Sequence, residues 1–280
     1  MIVAVLGASG FVGRHLCAAL EARGDCAIRA SLRDPDAAAR AAANADAIVN
    51  LAGAPVAKRW TRAQKEAIRT SRTEAPRAFL TRLASSQAKP KVYVSASAVG
   101  IYGTSPTETF VEASPPGGDF LARVCVEWEH VALSAAALGM RVSIVRTGLA
   151  LGIDGGALPP LRAIFRLGLG GVVGNGRQWM SWVHIDDLVG IYLHCIENGR
   201  GAYNACSPAP VTNAEFTRTL ARVLRRPAIF PVPASPLRAL LGEGATMVLK
   251  GQRVLPERTL ESGYAFSFGA LEKALGALLA

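Results

Sequence analysis

The chain has 280 residues and half of them are hydrophobic, which is enough to bury one large core and excludes a disordered chain. Its five cysteines are widely spaced without a C-x-x-C pair, so we predict neither disulfides nor a zinc knuckle, but reduced thiols in the cytoplasm. The formal charge of +10 is spread along the chain, which argues against a nucleic-acid partner and favours small anionic ligands such as phosphates.

No export signal or membrane segment is expected. The opening run Ile2–Leu6 has no basic lead-in and predicts a strand. The longest later apolar stretch, 131–151, contains Arg141 and Arg146, whose charges would be costly in the middle of a bilayer.

Short β-branched runs alternate with helical patterns over the first 150 residues. Strands are predicted at Ile2–Leu6, 27–31, 47–51, 92–94 and 142–145. Helices are predicted at 11–23, 37–44, 62–86 with a kink or break at Pro76, and 120–138 with Asp119 as cap and Gly139 as stop. This alternation predicts an α/β fold with a doubly wound parallel sheet of the Rossmann type.

After Thr147 the connections become rich in glycine and proline, which predicts a smaller α+β lobe. Its helices are expected at Ile185–Glu197, at Asn213–Leu224 behind the cap Thr212, and near 270–279. The predicted division is a cofactor domain, 1–150, and a substrate lobe, 151–280, with helix Ile185–Glu197 and a nearby strand as candidates to return to the first domain.

Three glycines follow the first strand in the spacing G-x-x-G-x-x-G: Gly7, Gly10 and Gly13. Where a strand turns into a helix, such a loop lets the backbone approach a pyrophosphate while the helix N-terminus faces its charge. A tight turn without a ligand is the alternative interpretation.

The residue after the second strand decides which dinucleotide is expected. NAD(H) binding favours an acidic residue there, whereas Arg33 can pair with the 2′-phosphate of NADP(H). The adjacent Asp34 keeps NAD(H) open as an alternative, and Arg33 can also be a solvated loop charge. NADP(H) is the predicted cofactor.

With this loop, residues 50–53 (NLAG) and residues 95–97 (SAS), the chain resembles the extended short-chain dehydrogenase/reductases. More narrowly it is similar to an atypical epimerase-like subfamily, through residues 174–187 (GNGRQWMSWVHIDD) and 251–258 (GQRVLPER). Members are labelled nucleoside-diphosphate-sugar epimerases by similarity. The resemblance implies an NADP(H)-dependent epimerase or oxidoreductase that acts on a small polar substrate, and family members often form homodimers.

In the wider family a serine, a tyrosine and a lysine four residues later polarise the reacting carbonyl or alcohol. Ser97 matches the serine. When Glu129 is aligned with the family's glutamate, Leu121 and Cys125 fall at the tyrosine and lysine positions, where neither can do that chemistry. A non-catalytic NADP(H)-binding or sensing protein is therefore the alternative function.

Tyr102 is the phenol nearest to Ser97 in sequence and is the candidate replacement acid, with a packing tyrosine as the alternative. Ser97 and Tyr102 are thus the predicted catalytic pair. The predicted cofactor contacts are Gly7, Ser9, Gly10, Phe11, Val12, Arg33, Leu51, Ala52, Gly53, Ser95, Thr147 and Gly148.

Three further groups of residues have open roles. Arg177, Gln178 and Trp179 are interpreted equally as a substrate wall or as lobe packing. The run of His184 to Asp187 is interpreted as a helix cap and hinge, so no metal site is predicted. Arg69 and Arg72 are interpreted as a charged solvent face, with approach to a ligand as the alternative.

Overall fold

A computed structural model describes residues 1–279, and within them the chain forms an α/β fold. The strands are β1 (Ile2–Leu6), β2 (Cys26–Ala30), β3 (Ala47–Asn50), β4 (Val92–Ala98), β5 (Thr109–Phe110), β6 (Arg141–Thr147), β7 (Leu149–Leu151), β8 (Trp179–Met180), β9 (Trp182–His184), β10 (Gly201–Ala205), β11 (Val211–Thr212) and β12 (Arg253–Val254). The helices are α1 (Phe11–Ala22), α2 (Pro35–Ala42), α3 (Arg62–Ala84), α4 (Phe120–Leu133), α5 (Leu158–Arg166), α6 (Ile185–Glu197), α7 (Asn213–Leu224), α8 (Ala234–Leu241), α9 (Thr246–Leu249), α10 (Glu257–Glu261) and α11 (Leu271–Leu279).

A six-stranded sheet in the order β2-β1-β3-β4-β6-β10 forms the centre, and every neighbouring pair is parallel. β1 pairs with both β2 and β3, so the chain reverses its direction across the sheet at β1. In open parallel sheets ligands bind outside the carboxyl ends of the strands at such a reversal. The predicted Rossmann-type sheet is confirmed, and its topology points to the edge where β1 and β3 end.

Helices cover both faces of this sheet. Val3 and Val5 of β1 pack in one core with α1 and α6, whereas Ala4 and Leu6 pack in a second core with α2, α3 and α4. Successive residues of a strand point to opposite faces, which is why a continuous apolar run such as β1 is buried on both sides.

The segment 185–205 returns to the first domain, because β10 pairs with β6 and α6 packs beside α1. The remaining C-terminal residues form a smaller lobe with short two-stranded sheets. Its core contains Trp182, Phe216 and Leu275. The two parts are interwoven, since β5 of the first domain pairs with β12 of the lobe.

Several local predictions differ from the structure in their limits. α3 continues through Pro76 instead of breaking there, and the proline ring is buried. β4 extends to Ala98, which places Ser95 and Ser97 in the strand. Asp119 caps α4 by accepting a hydrogen bond from the Ala122 amide at 2.9 Å, as predicted.

No helix within residues 1–279 is both long and apolar enough to cross a membrane. The same part of the chain brings no three His, Cys, Asp or Glu side chains together in a manner that could hold a metal.

The run of His184 to Asp187 ties α6 to the C-terminal segment. His184 caps α6 by accepting from the Asp186 amide at 3.1 Å, and its ring stacks on Phe268. The buried carboxylate of Asp187 accepts from the amides of Ser267 at 2.8 Å and Phe268 at 2.9 Å. A helix cap and an interlobe tie therefore account for this motif.

We expect Asp187→Ala to lower the free energy of unfolding by about 3 kcal/mol, because two amide donors lose a charged acceptor. Asp186→Ala is the matched control, since that side chain is 66% exposed and should change stability by less than about 0.5 kcal/mol. Urea unfolding followed by circular dichroism measures both, and equal effects would contradict the tie.

Candidate cofactor and substrate site

The loop between β1 and α1 is shaped by three glycines. Gly7 has a φ of +88°, and its amide donates to the carbonyl oxygen of Ala30 at 3.0 Å. A methyl group on Gly13 would collide with the carbonyl oxygen of Gly7. The loop therefore requires glycine at both positions, which lets α1 start directly against the strand end.

The N-terminus of α1 is free to receive an anion. Gly10 is the N-cap and offers no side-chain acceptor, and the first turn carries no acidic residue. The first amide bonded within the helix is that of Arg14, which donates to Gly10 at 3.0 Å. The preceding amides of residues 11–13 keep their donors for a ligand, and the helix dipole favours a negative charge there.

A second loop, residues 152–156, covers the side chain of Phe11. Methyl groups on Gly155 or Gly156 would collide with or crowd the Phe11 ring. Asp154 holds this loop against α1 by accepting from Arg14 at 3.0 Å and bonding His15 at 2.9 Å. The Phe11 ring is occupied by this packing, so a cofactor contact at position 11 falls to its backbone amide.

The segment after β3 forms the opposite wall of the cleft. Leu51 donates to the carbonyl of Leu6 at 2.9 Å, and a methyl group on Gly7 would lie 3.0 Å from the Ala52 nitrogen. A methyl group on Gly53 would lie 2.9 Å from the guanidinium carbon of Arg72. The predicted residues Leu51, Ala52 and Gly53 thus stand directly beside the glycine loop.

The two candidates for cofactor selection differ in what they are bonded to. Oδ1 of Asp34 accepts from the Ala37 amide at 2.9 Å and caps α2. Arg33 is exposed and forms no ion pair with residues 1–279. Asp34, the residue that favoured NAD(H) as the alternative, is therefore engaged as a helix cap. Arg33, whose guanidinium suits a 2′-phosphate, has no ionic partner among residues 1–279.

Ser97 is buried near the carboxyl end of β4. Its hydroxyl donates to Oε1 of Glu129 at 2.7 Å, and Glu129 forms a two-pronged ion pair with Arg146, each bond 2.8 Å long. Burial alone would lower the pKa of Arg146, but the bonds and charge of Glu129 outweigh it and raise that pKa. Thr147 and Gly148 follow Arg146, at the end of β6 where a nicotinamide contact was predicted.

Tyr102 is buried and fully engaged within the protein. Its hydroxyl donates to Asn204 at 2.7 Å and accepts from Arg146 at 2.9 Å, while its ring stacks on Phe110. Burial raises its pKa to about 12. These contacts favour the packing alternative for Tyr102, because its proton already has an acceptor and its ring is part of the core; a catalytic role for Tyr102 stays a prediction.

The residues at the usual tyrosine and lysine positions lie on α4 beside Ser97. Leu121 packs near Gly100. Cys125 is buried near Ser97, and burial raises its pKa to about 12, so it is a neutral thiol at physiological pH. Cys125 therefore does not provide the positive charge that the lysine provides in the wider family.

The predicted substrate wall divides into two kinds of residue. Gln178 donates to the carbonyl oxygens of Val173 at 3.0 Å and Val248 at 3.2 Å, and Trp179 is covered by the Arg253 guanidinium at 5.0 Å. These contacts favour the packing interpretation for Gln178 and Trp179. Arg177 is exposed and is the member of the three whose side chain remains open to a ligand.

Two features of the site were not found in the sequence. The Glu129–Arg146 pair joins residues from separate elements and has no local signal. Arg72 was interpreted as part of a solvent face, yet it is only partly exposed. It lies four residues after Ile68 and four before Pro76, on the buried stripe of α3, and this spacing was a signal that could have identified it.

Comparisons with known proteins agree with this architecture. Residues 3–206, more than half of the chain, match the NAD dependent epimerase/dehydratase family, and residues 232–278 match a domain of unknown function, DUF1731. The chain is 41% identical over 303 residues to a chloroplastic SDR39U1 homolog, an epimerase family protein of Arabidopsis thaliana, covering 100% of this chain and 87% of the relative.

Two comparisons concern the human protein. Human epimerase family protein SDR39U1 is 37% identical over 295 residues, with all of both chains covered. The crystal structure of its isoform 2 with NADPH matches with a TM-score of 0.91 at 33% identity, covering 100% of this chain and 99% of that one. The resemblance inferred from the sequence is confirmed, and the chain belongs to the NAD dependent epimerase/dehydratase family.

Proposed function

We propose that the protein binds NADP(H) at the carboxyl ends of β1 and β3 and acts as an oxidoreductase or epimerase on a small polar substrate. The observation that carries the cofactor choice is the pair at the end of β2, where Asp34 caps α2 and Arg33 has no ionic partner within residues 1–279. The human relative crystallised with NADPH supports the same choice.

The glycine cradle fits a dinucleotide. A side chain at Gly7 or Gly13 would fill the space between β1, α1 and the segment after β3. The amides of residues 11–13 supply donors for the pyrophosphate, and Arg33 supplies a two-donor fork for the 2′-phosphate. NADP(H) would bring hydride transfer at its nicotinamide ring.

Ser97 is the catalytic residue of this proposal, supported by its match to the serine of the wider family and by its hydrogen bond to Glu129. Its hydroxyl hydrogen is donated to Glu129, so in this proposal its oxygen would act towards a substrate as an acceptor. An acceptor at this point would bind and orient a hydroxyl group of the substrate. Thr147 and Gly148 at the end of the neighbouring strand would flank the same ligand.

A second candidate function is favoured by α4. Leu121 cannot exchange a proton, and Cys125 is a buried neutral thiol. In this function the protein would bind NADP(H) without converting a substrate, and a partner would recognise the surface of the loaded form. Such a protein would need neither the tyrosine nor the lysine of the wider family.

Arg33→Asp should weaken NADPH binding by about 10- to 100-fold and leave NADH binding within about threefold, because only NADPH carries the 2′-phosphate. Isothermal titration with each reduced cofactor measures the two constants. Arg40→Asp is the matched control, since Arg40 is exposed on α2 and forms no ion pair within the described chain. A proportionate loss of both cofactors in Arg33→Asp would contradict the assignment.

Catalysis is tested with a panel of carbonyl compounds, alcohols and sugar nucleotides, followed by nicotinamide absorbance and by product stereochemistry. On a substrate that reacts, Ser97→Ala should lower kcat/KM by at least about tenfold, the value of one hydrogen bond. Tyr102→Phe should instead cost about 1 kcal/mol of stability with kcat/KM near wild type. The reverse pattern would reinstate Tyr102 as the acid, and no turnover across the panel would favour the second function.

A further inference from the structure

Arg72 places a guanidinium group between the segment after β3 and helix α4. A methyl group on Gly53 would lie 2.9 Å from both the guanidinium carbon and Nη2 of Arg72. On its other side the guanidinium carbon lies 5.0 Å from the ring centre of Trp128. The group is therefore held in one position by the backbone of a cleft wall and by an aromatic face.

Only one nitrogen of this guanidinium is engaged. Nη1 donates to the carbonyl oxygens of Ala54 at 3.0 Å and Ile68 at 3.2 Å, with a longer contact of 3.5 Å to the Ser71 hydroxyl. Nη2 and Nε donate to no residue among 1–279, and neither is among the fully enclosed polar atoms. The Nε–Nη2 edge, which can hold a carboxylate or phosphate with two parallel bonds, therefore keeps both donors unused, although Nη2 also packs against Gly53.

Arg72 also lacks a counter-charge, unlike its neighbours. No carboxylate of the described chain lies within 4.0 Å of it, whereas Arg69, one turn earlier on α3, pairs with Glu66 at 3.0 Å and Glu74 at 2.8 Å. Arg146 nearby pairs with Glu129. Burial lowers the pKa of Arg72, as expected for a cation withdrawn from water without an anion.

A second donor in the same cluster is unused. Trp128, whose ring packs against the Arg72 guanidinium, is buried. Its indole N–H has no hydrogen-bond partner among residues 1–279. Buried donors are nearly always satisfied in folded proteins, so this enclosed donor is a second unmet hydrogen-bonding demand beside the unpaired cation. The cluster joins the segment after β3, through Gly53 and the Ala54 carbonyl, to Trp128 of α4.

We propose that Arg72 is the anion-binding residue of the substrate site, and that the substrate carries a carboxylate or phosphate group that binds along its Nε–Nη2 edge. This inference rests on the proposed cofactor cleft, because the substrate must lie beside the dinucleotide for Arg72 to reach it. The anion would neutralise the unpaired guanidinium of Arg72 and would fix the substrate at its anionic group.

The test uses the whole protein saturated with NADPH, so that added anions cannot enter the pyrophosphate site. Thermal unfolding is followed against inorganic phosphate and, in a second arm, against succinate, with potassium chloride at equal ionic strength as reference. A ligand that binds the folded state raises the melting temperature, and we expect about 4 °C near saturation for whichever anion fits. The responding arm identifies the anion class.

Arg72→Met removes the charge at similar length and should abolish that rise. Arg69→Met, on the same helix and exposed, should retain it and corrects for the general stabilising action of phosphate. A rise that is equal in wild type and Arg72→Met, or the absence of a specific rise in either arm, would overturn the proposal.

The shift that NADPH alone produces is measured for the same variants without added anion. If wild type shows no such shift, the cofactor proposal itself has failed. If Arg72→Met loses the NADPH shift while wild type shows no anion effect, Arg72 serves the dinucleotide and the substrate assignment is wrong.

Should Arg72→Met not fold, Arg72→Lys keeps the charge without the two-donor edge and should bind the anion at least about tenfold more weakly. An unchanged affinity would contradict the proposal.

Discussion

The ion pair between Glu129 and Arg146 holds the floor of the cleft together. Both side chains are about one-tenth exposed, and withdrawing two charges from water is costly unless the geometry is good and every other donor and acceptor is used. Here Glu129 and Arg146 meet through two parallel hydrogen bonds. The Ser97 hydroxyl also donates to Glu129, and Arg146 also donates to the Tyr102 hydroxyl. The ends of β4 and β6 are thereby fixed against α4. The placement of Ser97, and with it any chemistry at that strand end, depends on this pair.

Features that arise from neighbouring residues could be predicted from the sequence. The glycine spacing after β1, the cap Asp119, the capping box at Thr212 and the helix Ile185–Glu197 are set by backbone conformation and hydrogen bonds within a few residues. The segment after β3 was assigned to the cofactor through the family resemblance, and the structure places it beside the glycine loop. The break considered at Pro76 does not occur: the cost of a missing hydrogen bond is local, whereas the packing of Phe79, Leu80 and Leu83 of α3 in the core is not, and the helix continues.

The catalytic end could not be predicted in the same way, because its contacts join residues far apart in the chain. Tyr102 meets Asn204 across a sequence separation of 102 residues. The preference for Arg33 over Asp34 rested on residue type alone, and the cap that engages Asp34 is seen only in the structure. Arg72 shows the limit of interpreting charge by type alone. An arginine is expected in solvent, and only the periodic position of the residue on α3 marks it as facing inward.

The positions of the unpaired arginines Arg33 and Arg72 help to choose between the two candidate functions, an NADP(H)-dependent enzyme and a protein that only binds NADP(H). Arg33 would suffice for a protein that only senses NADP(H), since the 2′-phosphate is the group that separates this dinucleotide from NAD(H). Arg72 lies on the far side of the segment after β3, next to Gly53 and Trp128, and leaves its two-donor edge open at the cost of a half-buried charge. A cost of this kind persists in a fold when a ligand offsets it. On the proposals made above, Arg33 would bind the 2′-phosphate and Arg72 a second anion, and a second ligand bound beside a nicotinamide cofactor would be a substrate rather than a signal of cofactor occupancy.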